Sequence, residues 1–284
     1  MTTPQPAAPA LAPEATRHAA PPPSPLSDFG AVMRAEWTKL CTVRSTFWTA
    51  LFAALSVIGF ATGTCAQWAH TLSQHRDRLS DLDPTTASLT GIYLAQLAVG
   101  TLGILIISAE YSTGMIAATL NAIPRRRTVL AAKALTFTLA TLAFGQLVSF
   151  AAFSLGQAIL STQHAGVSLS QPTALRATVG AGLYLSAVGL LGFGIGAAVR
   201  HTAGAMAALF GLLFLPSALA DLLPPSVHYV IEYMPANSGS QIFTAHQEAP
   251  ALAPWTGFAV FGLYVLASLL AALVLTERRD ALLS

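Results

Sequence analysis

Six stretches of the chain are free of Asp, Glu, Lys and Arg for about the length needed to cross a bilayer: Thr46 to Ala66, Thr90 to Ala109, Ala134 to Leu160, Ala177 to Val199, Thr202 to Ala220 and Trp255 to Thr276. Each is predicted to be a transmembrane helix, which makes the protein an all-α polytopic membrane protein. Ahead of them, Leu26 to Arg44 puts Phe29, Val32, Met33, Trp37 and Leu40 near one helical stripe, with Arg34 and Lys39 free to meet anionic lipid. That pattern predicts an amphipathic helix lying on the membrane. Residues 1–26 are Pro- and Ala-rich with almost no aromatic or β-branched side chains. They are expected to form a disordered cytoplasmic tail, followed by a membrane domain over 27–284. The first apolar stretch follows a 45-residue leader and a poor lipobox, GTC before Ala66, so it is expected to remain as a helix.

Basic residues set the orientation. With the N-terminus inside, the inner segments near the membrane hold Arg34, Lys39, Arg44, Arg125, Arg126, Arg127, Lys133, Arg200, Arg278 and Arg279, and the outer loops only Arg76, Arg78 and Arg176. Ten against three places both termini in the cytoplasm. The last outer loop, Asp221 to Pro254, has no Lys or Arg and carries Pro224, Pro225, Pro235, Pro250 and Pro254, yet it includes the apolar run Val227 to Met234. A partly inserted, broken-helix cap between the fifth and sixth spans explains the mixture. Arg200 and His201 form a tight turn that makes the fourth and fifth spans antiparallel neighbours.

Composition narrows the chemistry. Hydrophobic residues make up 54% of the 284 and charged residues only 9%. The net charge of +2 and 14 scattered basic residues argue against a nucleic-acid partner. A P-loop needs a lysine after a glycine, whereas the only lysines follow Thr38 and Ala132. The chain therefore has no Walker A of its own, and no HExxH to hold zinc. Asp77, Asp81 and Asp83 resemble a metal-binding cluster, but their spacing does not fit, and Arg76 and Arg78 neutralise them as in a solvated loop. No catalytic residue, metal site or bound cofactor is expected. Cys41 and Cys65 lie 24 residues apart. A helix joining them would hold them roughly 36 Å apart, beyond the ~7 Å limit of a disulfide.

The segment Ser108 to Lys133 (SAEYSTGMIAATLNAIPRRRTVLAAK) is the most informative. Glu110 sits where lipid gives way to cytoplasm, Ser112 or Thr113 can cap a short helix, and Pro124 ends it before the arginines. A short amphipathic helix parallel to the membrane is the natural product. Arg125 to Arg127 are explained by topology alone, but a carboxylate at a helix end near hydrocarbon normally has a partner.

The runs EWTKLCTVRSTFW (Glu36 to Trp48), SAEYSTGMIAATLNAIPRR (Ser108 to Arg126), VRHTAGAMAAL (Val199 to Leu209) and YMPANSGSQIF (Tyr233 to Phe243), in that order and spacing, resemble the ABC-2 type permeases of actinobacteria. The resemblance covers essentially everything after residue 26. It implies the permease subunit of an ATP-binding cassette exporter in the bacterial plasma membrane. The helix before the first span becomes an elbow, and the loop between spans two and three a coupling helix that docks on a separate ATPase subunit, which binds ATP-Mg. It also implies a dimer with a second permease copy or a paralogue. In the family's E-x-x-x-G pattern, Glu110, Tyr111, Thr113 and Gly114, with Met115 beside them, fall at the ATPase-coupling helix. Family members usually carry a basic residue near Ala117, where this chain has alanine.

Gly59/Gly63 and Gly192/Gly196 are GxxxG pairs that allow close helix approach, expected mainly within the chain. Gln96, Gln146 and Gln157 fall inside spans and should point inward, lining a pathway or joining helices by hydrogen bonds. Two rival readings remain open. A secondary transporter or channel needs ionisable residues buried mid-span, which the six stretches lack. A membrane anchor or sensory subunit without transport needs no ATPase partner.

Overall fold

The computed structural model describes residues 25–112, 126–219, 228–246 and 251–280. They form ten helices: α1 (Pro25–Thr42), α2 (Arg44–Gln74), α3 (Pro84–Leu89), α4 (Ile92–Ser112), α5 (Arg126–Ser161), α6 (Pro172–Val199), α7 (Thr202–Ala218), α8 (His228–Glu232), α9 (Pro235–Ser240) and α10 (Pro254–Asp280). A 3-10 turn spans Arg76–Asp81. Half of the helices begin at a proline, whose fixed φ suits the first helical position and whose missing N–H would have no partner there. Asp83 adds a side-chain cap to α3, accepting hydrogen bonds from the Thr85 and Thr86 amides at 3.0 and 3.2 Å.

Asp83 also supports a prediction about acid stability. Burial pushes its carboxyl up, but the Thr86 hydroxyl and amide, together with the His246 amide, outweigh that and hold it below its ordinary value. With the folded-state value depressed, the stabilisation is fully present above the unfolded-state value of about 3.9 and is lost as pH falls through the folded one. In thermal melts, Asp83→Ala is expected to cost about 1 kcal/mol at neutral pH. Asp83→Asn, which still caps, should flatten the acid limb below about pH 4.

Five helical segments are long and apolar enough to cross a membrane: Arg44–Gln74, Pro84–Tyr111, Arg127–Ser161, Pro172–Val199 and Pro254–Thr276. The second combines α3 and α4, so it starts six residues earlier than the hydropathy pattern suggests. The expected span at Thr202 to Ala220 is the exception. Its described helix α7 has 17 residues, with Pro216 inside. Its length is about 26 Å, short of the ~30 Å hydrocarbon core.

α6 is the hub. In its apolar window 67% of residues are buried, against 22% in α2 and 17% in α10, which present most of their surface outward. Small residues let backbones meet there. A Cβ on Gly192 would run into the Gly100 carbonyl, and one on Gly103 into Gly189. Gly59 and Gly63, expected to pack within the chain, have nothing within 4 Å of where a Cβ would stand. They lie on the outward face of α2, so that expectation is corrected.

Contact pairs fix helix directions. Gln96 meets Tyr184, Gly103 meets Gly189 and Ile107 meets Gly196, so α4 and α6 run parallel. Phe137 stacks on Phe193 and Thr141 meets Ser186, so α5 is antiparallel to α6. Tyr184 packs on Phe261 and Gly194 on Ser268, which makes α10 parallel to α6. Between them, Arg200 takes the left-handed conformation at φ 58° and turns the chain into α7.

The segment 228–246 is drawn inward. Gly239 lies against Tyr184 and Phe261, and Pro235, Ser238, Ile242 and Phe243 are buried. Tyr184 is twelve residues along α6 from Pro172, a depth of about 18 Å. The Arg176 guanidinium holds the end of this segment by donating to the carbonyls of Gln241, Ile242 and Thr244 at 3.2, 3.0 and 3.0 Å. The broken-helix character expected between Asp221 and Pro254 is present in its described part; 221–227 and 247–250 lie outside the described residues.

Candidate functional site

Four charged side chains from three helices meet at one end of the bundle. Lys133, two turns into α5, donates to Glu110 Oε1 of α4 at 2.8 Å and also bonds Glu36 Oε2 of α1. Lys39, one turn beyond Glu36 on α1, donates to Glu36 Oε1 at 2.9 Å and to Glu110 Oε1 at 3.0 Å. The result is a closed ring in which each ammonium touches both carboxylates.

Burial makes the ring consequential. Side-chain exposure is 3% for Lys133, 6% for Glu36 and 10% for Glu110, against 40% for Lys39. An isolated charge so enclosed would cost several kcal/mol, so the four are tolerable only together, as two negatives and two positives. Glu110 also lies in the last turn of α4, where the helix dipole opposes a carboxylate. Two ammonium groups offset that penalty. For Lys39, burial works against the charged form, but the hydrogen bonds it donates to Glu36 and Glu110 outweigh it and raise its pKa above the ordinary value.

These are the chain's only two lysines; every other basic side chain apart from histidine is arginine. A compact ammonium with three rotatable protons can bond carboxylates on two different helices in a narrow space, whereas the planar guanidinium needs a wider one.

The same end of α4 is gripped from its other side. The Arg200 guanidinium carbon stands 4.7 Å from the centre of the Tyr111 ring. Thr202 Oγ1 donates to Ser108 Oγ at 2.9 Å. The stem on which residues 113–125 begin is therefore tied to α1, α5 and the α6–α7 turn.

No family model matches the chain, and no curated protein matches it.

Of the residues singled out in the sequence, Glu110 and Tyr111 belong to this cluster, while Thr113, Gly114 and Met115 lie outside the described residues. Three members were missed. Glu36 was hidden in what reads as an apolar stripe; the buried face of α1 in fact carries Val32 and Glu36, while Trp37 is 50% exposed. Lys39 was expected to meet anionic lipid; 40% exposed, it also donates to the two carboxylates. Lys133 was placed in the loop because spans were delimited by the absence of charge. Since α5 begins at Arg126, Lys133 and Glu110 both fall within long helices, near their ends and just outside the charge-free stretches.

The three glutamines join helices. Gln96 accepts from the Tyr184 hydroxyl at 2.5 Å, and Gln146 donates to the Val179 carbonyl at 2.9 Å. Gln157 donates to Pro84 O and Ser88 Oγ, both at 2.9 Å, while its Oε1 accepts from the Val167 amide at 2.7 Å. Among the described residues no group of three or more His, Cys, Asp or Glu is arranged to hold a metal.

Proposed function

We propose that this chain is the permease subunit of an ATP-driven export complex in a bacterial plasma membrane, acting as a dimer with a second permease and driven by separate ATPase subunits. The observation that carries the reading is the ring of Glu36, Lys39, Glu110 and Lys133. It links the surface helix α1 to α4 and α5, the two helices that flank residues 113–125. In this reading that loop docks on the ATPase. A push delivered there reaches both flanking helices and α1 as one body, since none can shift without separating buried opposite charges.

The topology that goes with it has six crossings and both termini in the cytoplasm. Support comes from the excess of basic residues on the ring's side and from the parallel run of α6 and α10. Parallel neighbours require the intervening chain to return across the bundle, and α7 with the inserted segment 228–246 supplies that return despite its short length.

One observation favours a rival. Buried carboxylates beside lysines are also the equipment of proton-coupled transporters. This ring, however, is charge-balanced and sits at the helix ends, whereas coupling sites lie near the midplane.

Glu110→Gln tests the reading. It keeps the shape and one acceptor but removes the charge. In a reconstituted complex with its ATPase, export per ATP is expected to fall about tenfold, the size of an ordinary coupling free energy, while ATP hydrolysis persists. Unchanged export per ATP would remove the ring from the coupling path. Transport driven by a pH gradient without ATP would favour the rival.

A further inference from the structure

α1 packs along α5 and barely touches α2, which leaves a slot between α1 on one side and α2 and α4 on the other. Two cavities of about 440 and 180 Å³ occupy it and share Leu40, Thr46 and Leu102 as lining. The larger opens onto the ring, with Glu36, Lys39, Glu110 and Lys133 as well as Ser45 in its wall; the smaller runs on to Ala53, Val99 and Phe144. From Lys133 to Phe144 along α5 is about 16 Å, so the slot descends well into the hydrocarbon layer.

The slot's chemistry is graded. Its deep walls are apolar and give a water-soluble molecule nothing to bind. At its mouth stands Lys39, the one member of the ring that reaches the surface, with two of its three ammonium protons held by Glu36 and Glu110. Arg44 is exposed close by, at the first residue of α2. A long apolar tail under a negative head satisfies both ends.

We propose that this slot is a lipid site holding one acyl chain of an anionic phospholipid from the leaflet on the ring's side, with the phosphate against Lys39. A zwitterionic lipid fits the slot equally but brings its own cation to a mouth where the four ring charges cancel and Arg44 is left in excess. The site does not depend on what the protein transports or what drives it. Its occupant would wedge α1 away from α2 and help fix the elbow's position.

The test is mass spectrometry of the intact full-length protein after equilibration in nanodiscs of phosphatidylglycerol, phosphatidylcholine or an equal mixture. From the mixture the protein should retain a single phosphatidylglycerol, preferred about fivefold over phosphatidylcholine, as one lysine contact supplies. Thr46→Phe fills the junction of the two cavities without altering any charge, and should abolish retention. Lys39→Gln should keep a lipid but lose the preference. Glycerol phosphate, a head without chains, should not displace the lipid. Equal retention of both lipids by the wild type, or undiminished retention by Thr46→Phe, overturns the proposal. Displacement by glycerol phosphate would reveal a plain phosphate site and also overturn it. If Lys39→Gln fails to fold, the lipid comparison on the wild type and Thr46→Phe decides alone.

Discussion

Lys133→Met is expected to lower stability by about 3–5 kcal/mol, because it removes the buried ammonium that two enclosed carboxylates share. Lys133 is 3% exposed, and the carboxylates it serves, Glu36 and Glu110, only 6% and 10%, so neither finds much water for compensation. The same change at Lys39, 40% exposed, should cost about 1 kcal/mol, since solvent already screens that member. Adding Glu110→Gln to Lys133→Met restores a neutral set, Glu36 with Lys39, and should recover most of the loss. Reversible unfolding in mixed micelles measures all three. If Lys133→Met were no worse than Lys39→Met, burial would not be what makes the ring matter.

The glycines offer a second test, with effects of opposite sign. A Cβ on Gly103 meets the Gly189 carbonyl and stands 2.9 Å from the Phe193 nitrogen. These are backbone atoms that cannot rotate away, so α4 and α6 must part along their whole contact. Gly103→Ala should therefore cost about 3 kcal/mol, at the upper end for overpacking. Gly59→Ala meets nothing within 4 Å and relieves the helix of its most flexible residue, a gain of up to ~1 kcal/mol. Melting temperatures of the two variants should move in opposite directions; a shift in the same direction would contradict the packing described for α2 and α6.

These two sites show where a linear reading succeeds and where it stops. Runs without charge locate the membrane helices because lipid rejects charged side chains and forces the backbone to bond within its own helix, and the α1 helix (Pro25–Thr42) closely follows its expected range. Boundaries drawn from the absence of charge fail at Lys133, where a partner 97 residues away in sequence neutralises the ammonium. Likewise the motif at Gly59/Gly63 is the same as that at Gly192/Gly196. Spacing states that a helix face is flat, not what lies against it. Glu36 could have been suspected from one signal: in a chain that otherwise uses arginine, one of its two lysines, Lys39, stands one helical turn from it. What could not be read was which helices converge, since that depends on the parallel pairing of α4 with α6.

The ring also has an order in time. Its members emerge from the ribosome as Glu36, Lys39, Glu110 and Lys133, so the running charge of the set goes from minus one to zero, back to minus one, and to zero again. α1 is born balanced. α4 is not: its terminal carboxylate waits for a lysine made 23 residues later, on the helix that follows the loop. Until α5 arrives, the set carries one net negative charge, which favours keeping that end of α4 in water. The third long helix thus does more than add a crossing; it lets the one before it settle to its final depth.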